Sequence, residues 1–138
     1  MRSTTEAPDA MNHDSRRVPG DPLSTHERAL LELLCSGTWH GTIEARRQLA
    51  HARWGGLEFD DCECFLVVVP EDLDLPRIPK RSGGPFSTVE VHDGESALGH
   101  LNLWSVDGLL HSVDYMTFDA PDEHLPAVEL LGDGPFKG

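Results

Sequence analysis

The sequence predicts an α+β fold, with two N-terminal helices packed on a mainly antiparallel sheet of about five strands. Three observations carry this. A capped leucine-rich helix opens the folded part, strand-like runs follow from residue 52, and two Asp-Gly pairs divide the C-terminal half into a three-stranded meander. At 138 residues the chain fits one domain plus a tail, large enough to build a core without disulfide or metal staples.

Residues 1–22 hold Ser, Thr, Pro, Asn and mixed charges with no apolar periodicity, so they read as a disordered arm in which Arg16 and Arg17 are exposed. A single domain is expected over 23–131 and a flexible tail over 132–138. Ser24-Thr25-His26-Glu27 is a capping box, with Pro22 stiffening the chain before it. Ala29, Leu30, Leu31, Leu33 and Leu34 give the first helix its apolar stripe, and Gly37 is expected to supply a left-handed stop. A second helix is expected over 42–51, offering Ile43, Ala45, Leu49 and Ala50 to the core and leaving Arg46 and Arg47 in solvent.

Residues 53–59 are broken by glycine and read as an edge strand, and Asp60-Asp61-Cys62-Glu63 turns the chain. The unbroken apolar run Cys64-Phe65-Leu66-Val67-Val68-Val69 predicts a strand covered on both faces. The proline-rich residues 70–86 read as a long surface loop. Strands are then expected over 88–92, 98–106 and 109–118, turning at Asp93-Gly94 and Asp107-Gly108. Leu110 and Val113 are three apart, which breaks the alternation. A bulge near His111-Ser112 would return Leu110, Val113 and Tyr115 to one face, opposite Leu101 and Leu103. Leu125-Pro126-Ala127-Val128 is expected to make one short helical turn against the sheet.

The formal charge of −13 opposes nucleic-acid binding and attachment to anionic membranes, both of which need clustered cations. It suits a basic protein partner, whose complementary field speeds association. The acidity is uneven: residues 57–75 hold seven carboxylates and no Lys or Arg. Asp60, Asp61, Glu63, Glu71, Asp72 and Asp74 are therefore the candidate contacts for such a partner. Trp104, Met116 and Phe118 are the apolar candidates, forming a patch on the sheet face away from the helices, rimmed by Asp107, Asp114 and Asp119. The same patch would suit a homodimer. Arg77-Ile78-Pro79-Lys80-Arg81 is a basic stretch that its prolines should keep extended and exposed.

Metal chemistry has one candidate pair, Cys62 and Cys64. A structural zinc site wants a second chelating pair, and none lies nearby in sequence. Small buried residues at a strand start explain the two cysteines, as a core position explains Cys35. No nucleophile elbow, phosphate loop or zinc-protease helix is present; His26-Glu27 is followed by Leu30 where the second ligand would stand. Asp114 is within strand reach of His100 or His111, a pairing that needs no catalysis. No catalytic residue and no cofactor is implied, and neither a signal-length nor a membrane-length apolar run appears, so a cytoplasmic protein is expected.

Leu23-Ser24, Ala29-Leu30-Leu31, Arg46-Arg47-Gln48-Leu49 and Leu103-Trp104-Ser105-Val106-Asp107-Gly108-Leu109-Leu110, with Leu110-His111-Ser112-Val113-Asp114-Tyr115 and Leu125-Pro126 after them, carry a resemblance over residues 23–131. In these the chain is similar to a small uncharacterised α+β protein family common in actinobacteria, with Val113 and Asp114 standing where Leu and Glu are commoner. The resemblance implies a helix-then-sheet fold and no catalytic residue. Some small acidic proteins of this appearance serve as immunity or antitoxin partners. The function expected is therefore an acidic protein-interaction module that neutralises a basic protein. The alternatives are a metal- or small-molecule-binding enzyme or sensor using the Cys62/Cys64 region, and a homodimeric structural protein.

Overall fold

The capping box forms as its residues dictate. Ser24 Oγ accepts from the Glu27 N–H at 3.0 Å, and Glu27 Oε1 accepts from the Ser24 N–H at 2.8 Å. This opens helix α1 (Thr25–Leu34), which buries Leu30, Leu31 and Leu34 completely. The computed structural model describes residues 17–58, 63–79, 83–118, 124–132 and 134–137. Helix α2 spans Thr42–Leu49. The strands are β1 (Arg53–Leu57), β2 (Phe65–Val68), β3 (Ser87–Asp93), β4 (Ser96–Val106), β5 (Leu109–Thr117) and β6 (Phe136–Lys137). They form one antiparallel sheet in the order β1-β2-β5-β4-β3-β6. The fold is thus α+β with the C-terminal meander β3-β4-β5. Among the described residues the sheet has six strands rather than about five, because the two-residue β6 joins the edge of β3.

The bulge expected near His111 is present. Trp104 pairs with Ser112 and Ser105 with Leu110, which leaves His111 as the extra residue. Leu101 and Leu103 consequently face Tyr115 and Val113, and Leu110 joins them in the core with α1 and α2. Asp107 and Gly108 both take positive φ, 54° and 81°, as a tight two-residue turn requires. The other hairpin turns at Gly94 and Glu95, one residue later than expected.

Helix α2 presents a different face from the one its apolar residues suggest. Ile43 is 60% exposed and Ala50 is exposed, while Thr42, Ala45, Gln48 and Leu49 are buried. The phase is set by Gly41, which caps the helix from the left-handed region at φ 102°. Gln48 is fully buried and acts as a three-way pin. Its Nε2 donates to Pro76 O and Gly108 O, both at 2.8 Å, and its Oε1 accepts from the Leu110 N–H at 2.9 Å. It thereby ties α2 to the 74–79 segment and to the β4–β5 turn. Gly37 is not left-handed; the Trp39 ring lies against it, and a Cβ there would fall within 1.9 Å of that ring.

Two further expectations are corrected. The segment 70–86 is no plain surface loop: after one 3-10 turn over Glu71–Leu73, Ile78 and Phe86 enter the core. The basic stretch is accordingly not free. Ile78 is buried, its N–H donates to Gly108 O, and Arg77 Nη1 donates to Asp107 O at 3.0 Å. Lys80 and Arg81 lie outside the described residues. The β2 run is covered on one face only. Phe65, Val67 and Val69 are buried beneath the helices, whereas Val68 is 43% exposed on the other face.

Contacts also extend to residue 17, before the expected domain start. Arg17 donates to both Glu27 carboxylate oxygens, at 2.8 and 2.9 Å, and its guanidinium lies 4.1 Å over the Trp54 ring. Gly20 N–H donates to Trp54 O, and Trp54 N–H donates to Asp21 O, so this segment covers the free edge of β1. At the other end, Leu125 and Pro126 are buried, a 3-10 turn follows over Val128–Leu130, and Leu131 bridges to Val91.

Candidate functional site

The helices cover one face of the sheet, and the site candidates lie on the other. Strand register arranges that outer face in rows. Leu57 pairs with Phe65 and Phe65 with Val113, all of them adjacent in chain to outer-face positions. One residue along, Glu58, Cys64 and Asp114 fall in line, and the row continues through Asn102, Thr88 and Phe136. A second row runs Leu66, Ser112, Trp104, and a third runs Met116, His100, Glu90.

Hydrogen bonds stiffen the central row. Thr88 Oγ1 donates to Asn102 Oδ1 at 2.9 Å, and Asn102 Nδ2 donates to Asp114 Oδ1 at 3.0 Å. The other Asp114 oxygen accepts from Trp104 Nε1 at 2.9 Å. Asp114 is therefore held by Asn102 and Trp104, not by His100 or His111 as the sequence suggested. This chain fixes the Trp104 indole on the face. His111 Nδ1 instead lies 3.1 Å from Ser112 Oγ. His100 lies 3.9 Å from Glu90 and edge-on to Phe118 at 5.2 Å.

Glu58 is the anomaly of the face. Its Oε1 is buried without a hydrogen-bond partner. Burial raises the Glu58 carboxyl above the ordinary range, and the Asp114 charge raises it further, against a smaller opposing effect of His111. Two carboxylates thus share one end of the row with no Lys or Arg among the described residues of the three rows.

The apolar candidates share the outer face but fall in different rows: Trp104 pairs with Ser112, and Met116, two rows away, pairs with His100. Met116 is 57% and Phe118 51% exposed, and Trp104 is half-buried. Val68, Leu66 and Phe136, which the sequence did not mark, lie on the same face. The acidic candidates divide. Asp60 and Asp61 lie outside the described residues, as does the rim residue Asp119. Glu63 is exposed but accepts from the Leu125 N–H at 2.8 Å and lies 3.3 Å from His124. Glu71, Asp72 and Asp74 are exposed on the turn after β2, and Glu71 lies 3.7 Å from Arg77. Of these three, Glu71 borders the patch, lining a cleft of about 330 Å³ with Val68, Arg77, Val106 and His111.

Of the cysteine pair, Cys62 lies outside the described residues. Cys64 is buried, and its Sγ accepts from the Tyr115 N–H at 3.4 Å. Among the described residues no group of three or more His, Cys, Asp or Glu side chains is placed to hold a metal ion. Cys35 is buried beneath α1, and burial pushes its thiol up to about 12, which leaves it protonated. No described helix is long and apolar enough to cross a membrane. Glu58, Asn102 and Thr88 were missed because the row joins strands up to 78 residues apart in sequence (58 to 136). Compared with known proteins, the chain matches no family model, no curated sequence and no solved structure.

Proposed function

We propose that this chain is a non-catalytic, acidic interaction module whose outer sheet face binds, and so neutralises, a basic protein. The observation that supports the reading is the company kept by the exposed side chains. Met116, Phe118, Val68 and Phe136 are each more than two-fifths exposed on one sheet face, beside the carboxylates of Glu58, Asp114 and Glu90. Exposed apolar side chains set among polar ones suit a protein interface. The formal charge of −13 supplies the long-range field that favours a cationic partner.

Affinity capture from native lysate tests it, comparing the wild type with a Met116→Asp/Phe118→Asp variant that leaves the core intact. The wild type should retain a basic protein. The variant should release it, as should about 0.5 M salt, where screening shortens electrostatic reach to a few ångströms. Recovery of no basic protein, or equal retention by the variant, would sink the reading.

A further inference from the structure

Resting on that reading of the outer face, we propose that the partner's anchor is an arginine, seated over Trp104 against Asp114 and Glu58, and that a second copy of this chain is not the natural occupant. The argument begins with charge. A two-fold stacking of this face on its own copy would bring Glu58, Asp114 and Glu90 towards the same three residues of the other chain. The described rows hold no Lys or Arg to separate them, and like charges brought together in a drying interface repel. The apolar patch therefore cannot be covered by itself without that repulsion, and a cation-bearing surface removes it.

The choice of arginine follows from the shape of the acceptors. One Asp114 oxygen is held by Asn102 and the other by Trp104, so the carboxylate and the indole are presented in fixed relation. Each carboxylate oxygen can accept a second bond. Beyond Cys64 in the same row, Glu58 Oε1 is desolvated and has no donor. A planar guanidinium can stack on the indole while directing separate N–H groups at two carboxylates, whereas an ammonium offers a point charge and no plane. Leu66 and Met116 flank the row on either side and would take the apolar neighbours of that arginine. The inference thus names one side chain of the partner and the two carboxylates and one ring that read it.

The test uses the full chain, labelled with ¹⁵N, and acetyl-Leu-Arg-Leu-amide, with lysine and citrulline counterparts as controls. The Trp104 indole N–H, assigned by Trp104→Phe, is the reporter. The arginine peptide should move it saturably, with a dissociation constant near a millimolar or weaker, as a single anchored side chain permits. The citrulline peptide should not, and lysine should bind several-fold more weakly. Glu58→Gln, which keeps the side-chain shape, should weaken the arginine peptide about tenfold, the effect of losing one charge-assisted bond. An unchanged spectrum elsewhere shows that this variant is folded. Equal shifts from arginine and citrulline, or indifference to Glu58→Gln, would overturn the socket. Shifts at Glu71, Asp72 and Asp74 with Trp104 unmoved would overturn the socket while leaving a basic partner in place. A concentration-dependent dimer that broadens Met116 and Phe118 would overturn both.

Discussion

Replacing Gln48 by leucine is the sharpest test of how this fold is held. The substitution keeps the volume and removes three buried hydrogen bonds, to Pro76 O, Gly108 O and the Leu110 N–H. The Leu110 N–H is left without its partner at a buried position, a loss of about 1–3 kcal/mol. Pro76 O loses its donor for roughly 1 kcal/mol more. Gly108 O keeps the Ile78 N–H and loses little. Leucine returns about 1–2 kcal/mol through greater apolarity. The net is a destabilisation of about 1–2 kcal/mol, a sizeable part of the roughly 5–15 kcal/mol that holds a domain together. Urea unfolding followed by circular dichroism should show it as a lower midpoint with an unchanged slope. Hydrogen exchange at the Leu110 amide should accelerate more than at amides of β3, because the pin that closes it is gone. Gln48→Glu should be worse, since it turns the Nε2 donor into an acceptor facing two carbonyl oxygens. A Gln48→Leu protein within about 0.5 kcal/mol of wild type, the range of ordinary surface changes, would refute the pin.

Three other outcomes follow from the same geometry. Arg17→Ala should cost about 1 kcal/mol, discounted because the guanidinium is partly in solvent. Burial pushes the Glu27 carboxyl up, but the bonds from Arg17 and Ser24 and the Arg17 charge outweigh it and hold it below the ordinary range. A depressed carboxyl stabilises the fold above its unfolded value and loses that contribution as pH falls through the folded one. Wild-type stability should therefore decline below about pH 4.3 more steeply than that of Arg17→Ala, and Trp54 fluorescence during unfolding measures both. Cys35, with its thiol pushed up to about 12, should resist a disulfide reagent at pH 8 until urea unfolds the chain; peptide mapping that finds it modified in the native protein would contradict its burial. Met116→Ala and Phe118→Ala, both at side chains more than half exposed, should each alter stability by less than about 0.5 kcal/mol in a thermal melt, and a larger loss would mean that the face is already covered.

What was legible in the sequence is what short-range chemistry decides. The capping box needs only Ser24 and Glu27, and the tight turn only Asp107 and Gly108. The bulge was readable because Leu110 and Val113 have one arithmetic way to share a face. The phase of α2 was not, because it follows from Gly41 and from carbonyls of the 74–79 segment and the β4–β5 turn that call for Gln48. Ile78 and Phe86 were missed because an irregular segment has no period to betray its buried residues. The β2 run misled in an instructive way: unbroken apolarity predicted cover on both faces, yet Leu66 and Val68 look outward. Their apolarity is a signal of the face, read as a signal of the core.

The same row bears on the proposed binding role. A nucleophilic Cys64 would have to become a thiolate, which needs nearby positive charge. Its row neighbours are instead Glu58 and Asp114, and its sulfur accepts from the Tyr115 N–H. A general base would have to present an uncommitted oxygen at a poised pKa. Asp114 has both oxygens accepting, from Asn102 and Trp104, whereas Glu58 keeps one buried oxygen without a donor and a carboxyl raised by burial. An arriving cation relieves Glu58 and repels none of its neighbours in the row, whereas an arriving nucleophile or anionic substrate meets two carboxylates. On the proposed reading the electrostatics of this row favour a positively charged occupant, and the flanking Leu66 and Met116 favour one carried on an apolar protein surface over a free ion.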